Sequence, residues 1–247
     1  VTSAGPSDPR KPVQISVFGK KGSGKTELAY RFFDTYPGDR AIIDPNGDLK
    51  VPEDTLELLS PLPARWPGGA YEQFADEHGL PSAGGGRKRR SSLRFIPDAG
   101  EDDYLEEIDR MVGLAFAHQR TCLFFDECHE GAPVGKTPPH MRRALRHGRH
   151  ARLTLILATP RPLTIDPLVV QQSDYVYVFK TPGQQDRNWI ASQIGWDNKD
   201  FDAGVHGLGP FEYLRYDAAK DDLAHFPALP LSAIKHHAPS EHAADEE

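Results

Sequence analysis

Gly19-Lys20-Lys21-Gly22-Ser23-Gly24-Lys25-Thr26 satisfies the phosphate-loop pattern G-x-x-x-x-G-K-[ST] at every constrained position. The residue types explain the spacing. Gly19, Gly22 and Gly24 let the backbone turn tightly enough to aim its N–H groups at phosphate oxygens, with no Cβ in the way. Lys25 supplies a cation for the β and γ phosphates, and the Thr26 hydroxyl is placed to ligate Mg²⁺. The flanks agree with this reading. Residues 13–18 form a short β-branched and aromatic run, and residues 27–33 read as a helix whose N-terminus favours an anion. Strand, glycine loop and helix in that order predict an α/β protein that binds ATP; a flexible Gly/Lys surface loop is the bland alternative.

Working outward, 247 residues suffice for one core with length left for loops and tails. The net charge of −7 excludes a uniformly basic nucleic-acid coat, so contact with a polyanion has to come from a local patch. Cys122 and Cys128 are too few for a disulfide framework and predict a reducing, intracellular setting. No apolar run approaches the roughly 18 residues of a membrane span. Residues 1–12 read as a lead-in arm, 13–216 as the folded domain and 217–247 as an extension with an acidic tail. Within the domain, residues 40–44 form a short strand that leaves Asp44 at its tip. A proline-rich excursion follows, with a helical turn at 70–75. Residues 82–92 are a flexible basic segment carrying Arg87, Lys88, Arg89 and Arg90. Residues 93–96 form a strand, and the apolar stripe Leu105, Ile108, Met111, Val112, Ala115 and Phe116 belongs to a helix packed on the sheet.

The second motif is residues 122–127, an apolar strand ending in two carboxylates, the form of a Walker B segment. Burial on both faces brings Asp126 to the sheet edge beside the phosphate loop, where it can hold the Mg²⁺ shell. Glu127, one residue on, is placed to orient and polarise a water for attack on the γ-phosphate. Alone, such a run is usually a strand meeting a polar loop; the phosphate loop is what gives it weight. Cys128 and His129 follow directly, but their spacing does not support a zinc site.

Between Glu130 and Asp166 there is no acidic residue, while Lys136, Arg142, Arg143, Arg146, Arg149, Arg152 and Arg161 are all present. This is the positive patch that the acidic total conceals. Pro138-Pro139 opens a helix through residue 147. Its arginines are in part a solvated face and in part candidates for DNA phosphate or for a neighbouring subunit's γ-phosphate. Residues 152–158 are a buried strand that puts Thr159 at the same sheet edge as Asp126 and Thr26, where its hydroxyl can sense the γ-phosphate or simply cap the strand. Further strands are expected at 174–179 and, as a sheet edge, at 211–216, with a helix over 183–194 between them.

Taken together, Gly19 to Thr26, Ile43-Asp44-Pro45-Asn46-Gly47, Phe124-Phe125-Asp126-Glu127 and the segment from Gly148 to Pro162 resemble the FtsK/HerA superfamily of P-loop ATPases, in particular its compact viral genome-packaging members. The segment from 148 to 162 is the most telling. Its Ala-Thr-x-Arg-Pro looks like the family's sensor, with Thr159 as sensor residue and Arg149 as the counterpart of its arginine. Pro160 stands where such proteins usually carry Gln. The resemblance, over residues 13–180, implies a RecA-like P-loop NTPase fold of the additional-strand, catalytic-glutamate type, with a mainly parallel sheet flanked by helices. It also implies a homo-oligomeric, usually hexameric ring that hydrolyses ATP with Mg²⁺ and pumps double-stranded DNA without reading its sequence. Capsid or portal partners and a cytoplasmic or virion-associated location go with that role. Two other readings stay open: an assembly or protein-extrusion ATPase of phage morphogenesis, and a small-molecule P-loop kinase.

Overall fold

The computed structural model describes residues 11–52, 55–58, 60, 62–63, 66, 92–98 and 103–228. The helical turn expected at 70–75, nearly all of the basic segment at 82–92, most of the N-terminal arm and the acidic tail lie outside the described residues.

The strands are β1 (Gln14–Phe18), β2 (Asp39–Ile43), β3 (Leu56–Leu58), β4 (Ser92–Phe95), β5 (Thr121–Phe125), β6 (Thr154–Thr159), β7 (Tyr175–Phe179), β8 (Tyr213–Asp217) and β9 (Asp222–Phe226). They form one nine-stranded sheet in the order β3-β4-β2-β5-β6-β1-β7-β8-β9. The run from β3 to β7 is parallel, and β8 and β9 add an antiparallel hairpin. Strand β6 lies between the phosphate-loop strand β1 and the carboxylate-tipped β5, the additional-strand arrangement that the resemblance implies.

The helices are α1 (Lys25–Thr35), α2 (Tyr104–His118), α3 (Pro139–His147), α4 (Leu168–Gln171), α5 (Gln184–Ile194) and α6 (Asn198–Gly207). Side-chain alternation along the strands sorts the core into two layers. Val17, Phe124, Ile156 and Tyr177 face α1 through Leu28, Ala29 and Phe33. Phe18, Phe125, Leu157 and Val178 face the other way, toward Met111, Ala144, Ile190 and Phe201 of α2, α3, α5 and α6. With both faces covered, the central strands read as unbroken apolar runs, which is why they were legible without alternation.

Two features depart from the sequence reading or escape it. The domain does not close at residue 216. β9 pairs with β8 and is held by Phe226, whose ring stacks on Tyr213 at 5.4 Å and lies under the Arg215 guanidinium at 4.6 Å. β8 is therefore an inner strand, and β9 is the edge. The second feature is Asp109, on the stripe side of α2. It is buried, and its carboxylate accepts from the backbone N–H groups of Met141 (2.7 Å) and His140 (3.1 Å). These are N–H groups of the first helical turn, which have no partner within the helix. Asp109 thus ties α3 to α2 and turns the basic side of α3 outward.

Candidate active site

Parallel strands bring their C-terminal ends to one edge, and the chemistry-bearing residues collect there. Gly19 follows β1, Asp44 follows β2, Asp126 follows β5 and Thr159 ends β6, with Phe18 level with Thr159 in the pairing. The loop is pinned by the Lys20 N–H donating to the Lys180 carbonyl (3.2 Å) and closed by the Ser23 N–H donating to the Lys20 carbonyl (3.2 Å). Glycine is required at Gly19 by space, since a Cβ there would sit 2.5 Å from Ser23 Oγ and 2.7 Å from Phe179 Cβ. At Gly24, the cap residue just before α1, it is required by φ +97.

Lys25 is buried and its Nζ lies 3.4 Å from Glu127 Oε1. Thr26 Oγ1 lies 3.3 Å from both carboxylate oxygens of Asp126. Glu127 has φ +53, a backbone conformation that disfavours a residue with a Cβ by roughly 1–2 kcal/mol. Such strain clusters at functional sites, and here it accompanies the turn of the chain away from β5 that leaves the carboxylate beside Lys25. Thr159 is fully buried, and its hydroxyl accepts from the Arg161 N–H (3.1 Å) and shares a hydrogen bond with His129 Nδ1 (3.2 Å). The same Nδ1 is 3.4 Å from Glu127 Oε2, without hydrogen-bond geometry, and Nε2 is 3.1 Å from Glu130. Burial pulls His129 below the usual histidine range despite the opposing carboxylates Glu130 and Glu127. His129 is the functional candidate the sequence reading missed. Its one signal was its place two residues past Glu127.

Burial pushes the Asp126 carboxyl up to about 6, outweighing Lys25 and the Thr26 hydroxyl, while Glu127 and Asp44 add to the rise. A desolvated carboxylate beside a threonine hydroxyl fits Mg²⁺, a hard ion that takes oxygen ligands. Among the described residues no group of three His, Cys, Asp or Glu side chains could hold a metal, so the remaining ligands would be phosphate and water. The raised carboxyl also predicts a pH-dependent stability. Below about pH 3 Asp126 is protonated folded and unfolded, and nothing is lost. As pH rises through the window up to about 6 the unfolded chain ionises first and stability falls; above it the full penalty stands. At about 1.4 kcal/mol per pKa unit the penalty is of order 3 kcal/mol. Asp126→Asn is therefore expected to raise the denaturation midpoint of the ligand-free protein at pH 8 and to leave it nearly unchanged at about pH 3, below the unfolded pKa. An equal gain at both pH values would mean the effect is packing.

Other sequence candidates lie away from this edge. Arg149 Nη2 bonds the Gln172 carbonyl (3.1 Å) and Asp174 (2.9 Å), and Asp174 in turn accepts from the Gln14 N–H at the start of β1. Arg149 therefore sits at the opposite edge of the sheet, a strand length of roughly 15–20 Å from its own phosphate loop. Arg142, Arg143 and Arg146 are exposed on α3, with Arg142 donating to the Thr137 carbonyl and Arg143 lying over the Phe116 ring. Lys136 is exposed in the loop before α3, and Arg87 to Arg90 lie outside the described residues. Asp44 is occupied structurally, as the partner of Arg94 (2.6 Å).

No family model matches the sequence, and no curated protein matches it either. Solved structures do. The genome packaging NTPase B204 from Sulfolobus turreted icosahedral virus 2, in complex with ATP-gammaS, superposes with a TM-score of 0.63 at 21% identity, over 90% of this chain and 100% of that one. B204, the DNA-packaging ATPase from Sulfolobus Turreted Icosahedral Virus, gives 0.62 at 18% identity, over 89% and 100%. VirB4 of Thermoanaerobacter pseudethanolicus gives 0.62 at 10% identity, over 94% and 93%. This likeness establishes the fold: the chain has the mainly parallel P-loop ATPase architecture of these proteins. Among the described residues no helix is long and apolar enough to cross a membrane.

Proposed function

We propose that this chain hydrolyses ATP to translocate double-stranded DNA, as the motor of viral genome packaging, in a ring of identical copies. The observation that carries the hydrolysis in this reading is the contact of Glu127 with Lys25, 3.4 Å apart beside the Thr26–Asp126 pair, and the DNA substrate is proposed from the exposed cations of α3. A phosphate loop that only bound nucleotide would need Lys25 and Thr26 but not a second carboxylate held against the lysine. Likeness in fold to structures described as packaging NTPases agrees with it.

The chemistry follows from the positions. Backbone N–H groups of the loop and Lys25 Nζ hold the β and γ phosphates, and Thr26 and Asp126 are the protein ligands for Mg²⁺. When bound, that ion offsets the negative charge of the triphosphate. A γ-phosphate that takes over Lys25 deprives Glu127 of its cation, leaving the carboxylate to orient a water and accept its proton. The water oxygen bonds to the γ-phosphorus as the bond to the β–γ bridging oxygen breaks, and ADP and phosphate leave. Thr159 is hydrogen-bonded to His129, whose ring lies beside Glu127, and through that neighbour the end of β6 is proposed to sense the state of the γ-phosphate. Arg149 is remote from its own loop and paired with Asp174, so its proposed role is on a neighbour's nucleotide, after release from that pair. That makes the ring part of the reading.

DNA contact is assigned to the exposed cations of α3 and its preceding loop, Lys136, Arg142, Arg143 and Arg146, together with Arg87, Lys88, Arg89 and Arg90. Such cations grip phosphate and do not read bases. The test is steady-state phosphate release from MgATP with and without linear duplex DNA at low salt. DNA is expected to stimulate release, and the triple substitution Arg142→Gln, Arg143→Gln and Arg146→Gln to weaken DNA binding. For each DNA phosphate deprived of its cation, the slope of log affinity against log salt flattens by roughly 0.9. An unchanged slope would remove α3 from the DNA-binding surface. Turnover indifferent to DNA in an assembled ring would favour the protein-extrusion reading, and a phosphorylated small-molecule acceptor would mean a kinase.

A further inference from the structure

The turn between α6 and β8 breaks the rule for its own shape. Its four residues are Gly209-Pro210-Phe211-Glu212, closed by the Glu212 N–H donating to the Gly209 carbonyl (3.3 Å). Phe211, the third of them, has φ +62. That position after proline calls for glycine, and a bulky aromatic there is a true outlier. The ring is not buried in compensation: Phe211 is 43% exposed and is one of only three large apolar residues so exposed among the described residues.

The surroundings hold this turn in place. Glu212 accepts from the Gly209 N–H (2.8 Å) and contacts His225 of β9 (3.2 Å). Lys180 Nζ donates to the His206 carbonyl and to the Leu208 carbonyl (3.1 Å), stapling the end of α6 to the end of β7. Lys180 is the residue whose own carbonyl anchors the phosphate loop, through the Lys20 N–H. One residue thus ties the turn and the loop together. The Phe211 ring reaches the loop as well, its Cδ1 being 3.3 Å from where a Cβ on Gly24 would lie. Between them is a cavity of about 260 Å³, lined by Lys20, Gly22 and Ser23 on one side and Leu208, Pro210 and Phe211 on the other.

We infer that this cavity is the nucleobase subsite, with Phe211 as the surface on which a purine stacks. The inference rests on the nucleotide reading of the phosphate loop and adds what that loop cannot supply, contact with the base. Of the two lysines that line the cavity, Lys180 is engaged by two backbone carbonyls and Lys20 is exposed on the phosphate loop, where its ammonium faces the triphosphate's charge. Recognition here is by the π face, which adenine and guanine share, so ATP and GTP should bind comparably.

The experiment is calorimetric titration of the full chain with MgATP, MgGTP and magnesium tripolyphosphate, which keeps the phosphates and has no base. Wild type is expected to bind ATP roughly 5- to 150-fold more tightly than tripolyphosphate, the usual range for stacking one base on one aromatic ring. Phe211→Ala should weaken ATP and GTP by that factor and leave tripolyphosphate as it was. Phe211→Trp should restore ATP binding and add an indole fluorescence that ATP quenches and tripolyphosphate does not. If Phe211→Ala binds ATP as tightly as wild type, the subsite is elsewhere although the phosphate loop stands. If wild type binds neither ligand, the nucleotide reading fails and the subsite goes with it.

Discussion

Glu127→Gln is expected to lower steady-state phosphate release from MgATP by about 10²–10⁴-fold, the usual contribution of a positioned general base. The substitution keeps the shape and removes the charge, so the fold has no reason to change. It also removes the competitor for Lys25. In the structure Glu127 Oε1 is 3.4 Å from Lys25 Nζ, so phosphate binding must displace an ion pair shielded from solvent. Glutamine gives that lysine up more easily, and ATP affinity should rise as turnover falls. Opposite movements of Kd and kcat, measured by titration and by phosphate release, are the signature. Turnover within about threefold of wild type would place the base elsewhere, since less than that lies far below a general base's share.

The largest effect on stability is expected at Asp44→Ala, a loss of about 3–5 kcal/mol. Asp44 is 1% exposed and Arg94 is 7% exposed. Arg94 Nη2 and Nε reach Asp44 Oδ2 at 2.6 and 3.0 Å, and the same carboxylate accepts from the Gly47 (3.1 Å) and Leu49 (3.1 Å) N–H groups. Alanine would leave the guanidinium with Glu57 alone, at a half-exposed position, and unpin the turn after β2. The penalty comes from stranding a buried cation, not from an intrinsically strong pair. Replacing both partners, with Asp44→Leu and Arg94→Met, should therefore recover most of what the single change loses. Denaturant midpoints of the two variants decide the matter. A double variant as unstable as the single one would show that the turn, and not the stranded charge, sets the cost.

These two carboxylates show how far the sequence could be read. Asp126, Glu127 and the loop from Gly19 to Thr26 were legible because each stands at a fixed offset from an apolar run, and a parallel sheet converts that offset into a shared edge. The same logic put Asp44 at a strand tip but could not reveal that Arg94, fifty residues on, would claim it. Asp109 was hidden for a related reason: its spacing matches the apolar stripe of α2, while its partners are backbone N–H groups of another helix. Arg149 looked like part of the sensor segment because it is near Thr159 in sequence, but β6 runs between them and carries them to opposite edges. β9 was missed because its apolar positions are few and lie among charged neighbours, and Phe211 because nothing local announces a phenylalanine in a glycine position.

The place of β1 in the sheet has a consequence for how the chain is made. Its two neighbours are β6 and β7, which begin at Thr154 and Tyr175, so the strand leading into the phosphate loop has no hydrogen-bonded partner until most of the chain exists. At ribosomal speeds of roughly 5–20 residues per second, the wait is on the order of ten seconds. During it an apolar strand stays open to the wrong pairing, and the rate of reaching the native state is governed by closing contacts of long sequence separation. The phosphate loop is thus a late product of folding, and a truncated or stalled chain that lacks β6 and β7 has no loop to load. Nucleotide added to refolding protein should act after the sheet has closed, stabilising the finished molecule without speeding its formation.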